Sequence, residues 1–596
     1  MTCNFLIGPK LTTDEFIELY TKSIGMYVYI DSDSSYHDFE NYAVVINGYI
    51  QPRNKCFEKY RSLNKFELID KLYNDYQEKF IEYIKGNFII ILIKNDSIDI
   101  FTDHFGLKQC YIHQKNKYFA ITNNFNLFKE IGIDLELDAE NLAIKSLLHR
   151  IPGDKTQFKY IKKTKPASHV KISTSSIKIT QYWTPENLLQ LTDNINYEYS
   201  LNDFADLIKT SFKNFLTFQK PDKHTITLTG GKDSRTGLAA LKENGVTPYG
   251  FTYGNPNSRD AIYAKKLADK ISISHNIFMP PDNKDYFDEM ANKIIIYGNP
   301  DISIHRAHRL YAFKEMAKNI GENSAYYAGY MAGEFLMGIY YDNLIFTKFL
   351  TNFWDYQELP PIQPKLNTYF HRQNFANIDE LKNHLGELKT FDSELTTEER
   401  QFYGIFEIGI PHHSQDIFLA DKYFDFVYPF FIDIDFLEAL FQSRFSFFFT
   451  DNKTKNLLSR YKLFEFNLNI QHILYPEMDP VPFGKKGSYN TKEFLKGKYY
   501  WAAIKAMRYV LQRQKYPVTY GYGQLFRNFL LKHLTALNKD KEHVLHEIFN
   551  IPGAISALKS ITGNTGEGTM HKFSNIVQLY LEMEYFNKNN NLSDEI

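Results

Sequence analysis

From about residue 201 the chain alternates between helix-like and strand-like segments, and this alternation limits the fold more than any other feature. Residues 200–216 carry apolar side chains three or four positions apart, which predicts a helix. The segments that follow alternate as strand HTITLT (224–229), helix 235–244, strand VTPYGFTYG, helix 260–271, strand ISHNIF, helix 308–320 and strand SAYYAG. This order predicts a parallel sheet with helices on both faces and ligands at the carboxyl ends of its strands.

The first third of the chain has a different sequence pattern. Its short β-branched and aromatic runs are separated by Asn, Asp, Gly and Lys, which predicts strands joined by turns. The runs are 26–30, 42–50, 87–94, 97–103, 108–113 and 117–122, with one helix-like stretch near 64–84. We therefore expect a mainly antiparallel α+β domain over 1–190, an α/β domain over 195–495 and a helical C-terminal region over 496–596.

Composition excludes several classes of protein. The chain has 69 Lys and Arg against 70 Asp and Glu, so no overall charge attracts nucleic acid. No apolar run near the N-terminus approaches the roughly 20 residues of a membrane helix, and a secretory signal is absent from MTCNFLIGPK. Three cysteines without a CxxC pair exclude a disulfide framework and a thiolate zinc site. We expect a cytoplasmic protein without membrane or nucleic-acid partners.

The loop Leu228–Ser234 (LTGGKDS) lies between a predicted strand and a predicted helix. Backbone N–H groups at such a helix start favour a phosphate, and two glycines let the backbone approach it. The spacing is not that of a Walker A loop or of GxGxxG. A carboxylate at Asp233 would repel phosphate unless a divalent cation lay between them, so we interpret Asp233 as a Mg²⁺ ligand. The alternative is an ordinary Gly-Gly turn capped by Asp or Ser.

TGGKDS (229–234) resembles the S-G-G-x-D-S pyrophosphate loop of the asparagine synthetase superfamily. That family includes asparagine synthetase B-like enzymes, β-lactam synthetases and lasso-peptide cyclases. Further blocks resemble the family in the same order, at 250–278, 325–338, 427–441 and 475–487. The resemblance implies an ATP-pyrophosphatase (synthetase) domain with a doubly wound parallel sheet.

The first third resembles the N-terminal glutaminase-like domain of the same family. INGYIQPRN (46–54), GNFIIILI (86–93) and DHFGLKQCYI (103–112) are similar to its motifs, which implies an Ntn-type domain. Glutamine-hydrolysing members carry Cys directly after the initiator Met, whereas this chain has Thr2 there and then Cys3. The resemblance therefore implies a domain without glutaminase activity, and an N-terminal Thr nucleophile is the alternative.

The resemblance also implies the residues of the site. Residues implied for ATP and pyrophosphate are Leu228, Thr229, Gly230, Gly231, Asp233, Ser234, Asp260 and Gly329, with Mg²⁺ on Asp233; those implied for catalysis are Tyr330, Glu334, Lys485 and Lys486. Gly333 stands where the family has a second metal-binding Asp. Other interpretations stay open: Asp260 as a helix N-cap, Tyr330 as a packing residue, and the two lysines as a solvated pair.

The activity that these features predict is ATP-dependent amide-bond formation through an acyl-adenylate. An intramolecular amine, as in β-lactam synthetases and lasso-peptide cyclases, is favoured by Tyr330, because β-lactam synthetases carry Tyr at the equivalent place. The substrate would be a small molecule or peptide with a carboxylate and an amine, with a precursor peptide, a maturation protein or a second copy of the chain as partner. The alternatives are an asparagine-type synthetase that uses ammonia and a catalytically inactive scaffold.

Overall fold

The computed structural model describes most of the chain. The described residues are 4–8, 17–21, 26–31, 35–116, 118–148, 150–173, 176–193, 199–283, 285–338, 386–392, 394–449, 460–483, 488–511, 522–561 and 567–593. Thr2, Cys3, Lys485 and Lys486 lie outside these residues, so the predictions for them have no structural account.

Strands β1–β12 form two six-stranded sheets within the described residues, in the orders β10-β8-β9-β1-β3-β2 and β12-β11-β7-β6-β5-β4. Every pairing in them is antiparallel, as the sequence predicts. The strands are β1 Phe5–Gly8, β2 Ile17–Thr21, β3 Met26–Ile30, β4 Tyr36–Asp38, β5 Tyr42–Pro52, β6 Ile84–Lys94, β7 Ile98–Thr102, β8 Tyr111–Lys115, β9 Tyr118–Thr122, β10 Ile161–Lys163, β11 Ser168–Ile172 and β12 Ile177–Gln181.

Strand β6 is buried on both faces, and alternation of its side chains explains how. Ile89 and Ile91 point towards the other six-stranded sheet, where they join a core that includes Phe5 of β1. Phe88 and Ile90 point the opposite way, into a second core beneath the helix 65–76. Successive side chains of a strand point to opposite faces, so one continuous apolar run supplies two cores.

Strands β13–β17 form a five-stranded parallel sheet in the order β15-β14-β13-β16-β17. They are β13 Lys223–Thr227, β14 Tyr249–Tyr253, β15 His275–Phe278, β16 Ser324–Tyr327 and β17 Phe426–Tyr428. The predicted helices 200–216, 235–244, 260–271 and 308–320 each correspond to a helix of the structure, whereas the helix Tyr286–Ile296 between β15 and β16 was not predicted. In the first of these helices, Phe204, Ile208 and Phe212 of the predicted apolar face are buried.

The helices of the chain connect these strands and form its C-terminal part. Their bounds are Phe57–Tyr60, Lys65–Tyr76, Leu127–Glu130, Ala139–Leu148, Glu186–Leu189, Leu201–Gln219, Asp233–Glu243, Arg259–Lys270, Tyr286–Ile296, Ala307–Ile320, Ala332–Met337, Thr397–Gly404, Ile410–Ala420, Ile434–Phe441, Arg460–Leu474, Thr491–Phe494, Lys498–Leu511, Gly523–Lys539, Leu545–Ile548, Ile551–Ser560 and Glu567–Ser593. No helix in the described part of the chain is long and apolar enough to cross a membrane.

The C-terminal helices share the core of the parallel-sheet part. Phe526 and Leu530 of the helix 523–539 join the apolar cluster that also contains Ile226 of β13. The helix 498–511 packs differently, since its buried Trp501 belongs to a small separate cluster with Leu468. The region 496–596 is therefore folded onto the α/β part.

Buried ion pairs join the antiparallel part to the parallel-sheet part. Lys85 of β6 lies 2.8 Å from a carboxylate oxygen of Asp433 and 2.8 Å from one of Asp435. Arg53 pairs with Asp435 at 2.8 Å and also with Glu438. The side chain of Lys85 is only 4% exposed. Buried ion pairs thus hold the two parts together, and each buried charge would be destabilising without its partner.

Candidate functional site

The site lies at the carboxyl ends of β13 and β16, where the order of the parallel sheet reverses. The chain runs from β13 outward to β14 and β15, whereas β16 and β17 add on the other side of β13. In open α/β sheets the crevice at such a reversal is where ligands bind. The loop 228–232 follows β13, and the segment 328–331 follows β16. Half of the twelve predicted site residues belong to these two connections, and Asp233, Ser234 and Glu334 lie in the helices that follow them.

The glycine loop after β13 is held by hydrogen bonds of its own. The N–H of Gly230 donates to Oδ1 of Asp260 at 3.1 Å, and the N–H of Gly231 donates to Oγ1 of Thr229 at 3.0 Å. A Cβ atom on Gly230 would lie 2.9 Å from that Asp260 oxygen, so a side chain there would collide. Leu228 is buried beneath the loop. These contacts fix the loop before any ligand binds.

Asp260 does not cap its helix. The N-cap of the helix 259–270 is Ser258, whose side chain accepts from the N–H of Ala261 at 3.2 Å. The N-cap interpretation of Asp260 is therefore wrong, and its carboxylate instead binds the backbone of Gly230. Sequence reasoning missed Ser258 because a Ser and an Asp two residues apart are both good capping residues.

Gly329 brings the connection after β16 against the start of the helix 233–243. A Cβ atom on Gly329 would lie 3.2 Å from the carbonyl carbon of Asp233 and 3.2 Å from the backbone nitrogen of Ser234. Both distances are shorter than the ordinary van der Waals contact of a carbon atom with another carbon or with a nitrogen. The absence of a side chain at Gly329 thus lets the two connections touch.

Ser234 places a hydroxyl at this helix start. Ser234 as a whole residue is 9% exposed, and its Oγ atom has no hydrogen-bond partner among the described residues. A buried hydroxyl without a partner is costly, so it indicates a ligand acceptor. Together with the N-terminal end of an eleven-residue helix, this hydroxyl fits a phosphate group.

Asp233 shares the site with a second carboxylate. Burial raises the pKa of Asp233 to about 6, the charge of Lys232 acts to lower it, and the charge of Glu334 raises it further. Oδ1 of Asp233 accepts from Nδ2 of Asn467 at 3.1 Å. The carboxylates of Glu334 and Asp233 are therefore close enough for the charge of Glu334 to act on Asp233. Carboxylate oxygens are the ligand type that Mg²⁺ takes in proteins.

Glu334 is paired with a histidine that sequence reasoning missed. Nε2 of His413 lies 3.8 Å from Oε1 of Glu334. Burial acts to raise the pKa of Glu334, but the hydrogen bond and charge of His413 outweigh it and hold the pKa below its ordinary value. Gly333 itself offers no ligand, and a Cβ atom there would meet only the Cε of Met337, at 3.4 Å.

Tyr330 lies between the strand ends and His413. Its hydroxyl is 3.2 Å from that of Tyr326, whose own hydroxyl is 2.6 Å from Oγ1 of Thr227. The ring of Tyr330 stacks on His413 with centroids 5.1 Å apart and planes 20° apart. The structure thus brings together Tyr330, Glu334 and His413. No pattern in the sequence pairs His413 with residues some eighty positions earlier.

Lys232 and Arg235 form the basic side of the loop. Burial lowers the pKa of Lys232 to about 8; Asp233 opposes this shift and Lys505 adds to it. Arg235 is buried and donates to the carbonyls of Val481 at 2.9 Å and Pro482 at 2.8 Å. Arg235 therefore anchors the segment that leads to the predicted Lys485 and Lys486.

Residues 36–183 match the family model of a glutamine amidotransferase domain. They form a glutamine amidotransferase-like domain. The N-terminal prediction is confirmed at this level, and the match covers less than half of the chain.

Solved structures that are similar to part of the chain include the following two. One is described as the structure of the allosteric regulatory enzyme of purine biosynthesis; it has 9% identity and a TM-score of 0.21, and the similarity covers 47% of this chain and 75% of that chain. The other is glutamine phosphoribosylpyrophosphate amidotransferase from B. subtilis complexed with ADP and GMP, with 10% identity, a TM-score of 0.20 and coverage of 47% and 61%. No curated protein matches the chain.

Proposed function

We propose that the chain is an ATP-dependent ligase that activates a carboxylate as an acyl-adenylate and couples it to an amine. The observation that carries this proposal is the unpartnered hydroxyl of Ser234 at the start of the helix 233–243, beside the glycine loop. The resemblance of this loop to the asparagine synthetase superfamily supports ATP as the phosphate donor. The site at the reversal of the parallel sheet supports a nucleotide.

The residues present suit the parts of Mg·ATP. Ser234 and the backbone N–H groups at the helix start would hold the pyrophosphate portion. Asp233 and Glu334 would hold Mg²⁺, with Glu334 supplying the carboxylate that Gly333 lacks. Bound Mg²⁺ would neutralise charge on the phosphate oxygens. Because Glu334 also pairs with His413, its affinity for the cation depends on that histidine.

Two bond exchanges make up the reaction. The substrate carboxylate attacks the α-phosphorus, and the bond from that phosphorus to pyrophosphate breaks. The amine then attacks the acyl carbon, the bond from that carbon to the AMP oxygen breaks, and the amine loses a proton. Tyr330 and His413, which stack on one another beside Glu334, would accept that proton. Lys232 would offset charge on the departing group.

An amidotransferase that uses ammonia is the second candidate, and the match of residues 36–183 favours it. A cavity of about 40 Å³ lies between the two parts of the chain, lined by Asn47, Lys108, Arg150, Asp301 and Gln415 among others. Its size suits a very small molecule such as water or ammonia. Ammonia chemistry would make product formation depend on added ammonium, or on glutamine with release of glutamate if the N-terminal domain hydrolyses it, whereas an internal amine would need neither.

Calorimetric titration with α,β-methylene ATP, with and without Mg²⁺, tests the nucleotide site. We expect Mg²⁺-dependent binding to the wild type and its loss in Asp233→Asn, because the metal would lose a charged ligand. Asp269→Asn is the matched control, since Asp269 is exposed on a neighbouring helix. Equal binding to wild type and Asp233→Asn would remove the metal assignment, and no binding at all would favour a scaffold. Pyrophosphate release with ammonium, glutamine or amine-bearing acids then separates the two enzymes.

A further inference from the structure

Two side-chain amides of the helix 460–474 face the loop and the helix start that carry Asp233. Nδ2 of Asn467 donates to Oδ1 of Asp233 at 3.1 Å. Nε2 of Gln471 donates to the carbonyl oxygen of Lys232 at 2.8 Å. Residues four apart lie on one face of a helix, so a single face of the helix 460–474 meets the candidate site.

Asn467 is buried, and only one half of its amide group has a partner. The residue is 2% exposed. Its Oδ1 atom has no hydrogen-bond partner among the described residues. An amide oxygen is a strong acceptor, and burying one without a donor is costly. The unpartnered oxygen therefore indicates a donor that arrives with a ligand.

Asp233 fixes the direction in which this amide group faces. Exchanging the nitrogen and the oxygen would place Oδ1 of Asn467 against the carboxylate of Asp233. Two acceptors repel one another while that carboxylate is ionised, whereas the amide nitrogen can donate to it. Nδ2 therefore stays on Asp233, and Oδ1 is the atom that needs a donor.

Gln471 differs from Asn467 in the groups that it contacts. It is also 2% exposed, and its Nε2 donates to the backbone of Lys232 and lies 3.1 Å from Oγ1 of Thr236. These contacts hold the start of the helix without touching a carboxylate. Gln471 and Asn467 thus share a helix, an amide group and a degree of burial, but only Asn467 contacts Asp233.

We propose that Asn467 is a positioning residue of the magnesium site: Nδ2 holds Asp233, and Oδ1 accepts a hydrogen bond from a water molecule of the hydrated cation. This inference rests on the proposed function, and specifically on Asp233 as a Mg²⁺ ligand. Mg²⁺ usually keeps several of its water molecules when a protein binds it, and those molecules donate hydrogen bonds. Residues that orient the ligands of a metal typically contribute about 10- to 100-fold to metal affinity.

The test is calorimetric titration of the full chain with α,β-methylene ATP, once with excess Mg²⁺ and once with EDTA. Asn467→Leu should weaken binding about tenfold in Mg²⁺ and leave it within about twofold in EDTA, because only the metal-dependent part of the affinity uses Asn467. Gln471→Leu is the matched control, and it should change the affinity by the same factor in both conditions. Should Asn467→Leu not fold, Asn467→Ser carries the same expectation, since its side chain is polar but too short for both contacts.

Each outcome decides between the proposals. An unchanged affinity of the folded Asn467 variant in Mg²⁺ would overturn the role of Asn467 and leave the nucleotide site in place. Equal weakening in Mg²⁺ and in EDTA would also overturn that role, because the effect would then be structural, and so would an equal loss of Mg²⁺ dependence in Gln471→Leu. A wild type that binds the analogue equally in Mg²⁺ and in EDTA would overturn both the metal assignment of Asp233 and the role of Asn467. A wild type that does not bind the analogue would overturn the proposed function as well.

Discussion

The backbone nitrogen of Ser234 lies 3.2 Å from the position that a Cβ atom on Gly329 would occupy. This close approach joins the connection after β16 to the helix start that carries the Ser234 hydroxyl. Because the neighbouring atoms belong to the backbone, they cannot turn aside as a flexible side chain could. The geometry of the proposed phosphate site thus depends on a residue that offers no functional group.

Gly329→Ala should therefore disturb the site. The added methyl group would push the two connections apart, at a cost of about 1–3 kcal/mol in the free energy of unfolding. Affinity for the ATP analogue should fall about tenfold as the helix start moves. Urea unfolding and calorimetry measure the two effects. Gly333→Ala is the control, because only the flexible end of Met337 lies near its added methyl group; equal effects of both substitutions would contradict the prediction.

Lys422→Met should stabilise the protein at neutral pH. Burial, aided by the charge of Lys108, lowers the pKa of Lys422 to about 8, although Asp421 and Asp31 oppose the shift. Its ammonium lies 4.6 Å from the centroid of Phe418. Since the charged form is disfavoured in the folded state, Met should raise the free energy of unfolding at pH 7 by about 1–3 kcal/mol.

The pH dependence of this gain has a defined sign. A folded-state pKa below the unfolded value near 10.5 means that the contribution of Lys422 is fully present above that value and is lost as pH falls through about 8. The advantage of Lys422→Met should thus shrink between pH 7 and pH 9.5 in urea unfolding. Lys71→Met is the control, because Lys71 is exposed and pairs only at the surface with Asp75. If Lys422→Met exceeded the wild type in free energy of unfolding by the same amount across this range, the stability difference would not arise from titration of Lys422.

Local pattern predicted much of the fold. The apolar run of β6 and the alternating segments from β13 to β16 lie within a few residues of their predicted places, because burial imposes a period of two or of 3.6 on each element. The loop 228–234 was predicted for the same reason, since Gly-Gly between a strand and a helix is a local signal.

The missed parts of the site depend on contacts between distant segments. His413 lies beside Tyr330, and Lys505 lies beside Phe464 next to the glycine loop, only because separate helices pack on one another. A single sequence carries no signal for such neighbours, since periodicity gives the face of a helix and not what that face meets. The hydrogen bond from the N–H of Gly230 to the carboxylate of Asp260 was missed for the same reason.

Lys85→Met should weaken the interface between the antiparallel part and the parallel-sheet part. The substitution leaves Asp433 buried without its cation and Asp435 with Arg53 alone. Breaking a buried ion pair by removing one partner costs about 3–5 kcal/mol, because the remaining charge stays desolvated. Urea unfolding followed by tryptophan fluorescence measures the loss.

A double variant separates the charge effect from lost packing. Lys85→Met with Asp433→Asn removes the uncompensated charge and should recover part of the lost free energy of unfolding. Lys71→Met serves again as the surface control and should cost less than about 1 kcal/mol. Additive losses in the double variant would show that Lys85 and Asp433 do not act as a pair.

Arg235→Met should loosen the segment that leads towards the predicted late lysines. The guanidinium donates to Val481 and Pro482, so its loss leaves two carbonyls without these donors. The next residue, Phe483, exchanges backbone hydrogen bonds with Tyr489 at 2.9 and 3.3 Å. The hydrogen-exchange rates of the Phe483 and Tyr489 amides should therefore rise by about tenfold or more, because local opening becomes easier.

The same substitution distinguishes anchoring from general destabilisation. Burial lowers the pKa of Arg235 to about 9, so removing its charge relieves a cost while removing two hydrogen bonds. Amides of the antiparallel part, such as those of β6, should keep their exchange rates because Arg235 does not touch them. Arg61→Met, at an exposed arginine, is the control. If the exchange rates of the β6 amides and of the Phe483 amide rose together, Arg235 would stabilise the whole fold and would not specifically anchor this segment.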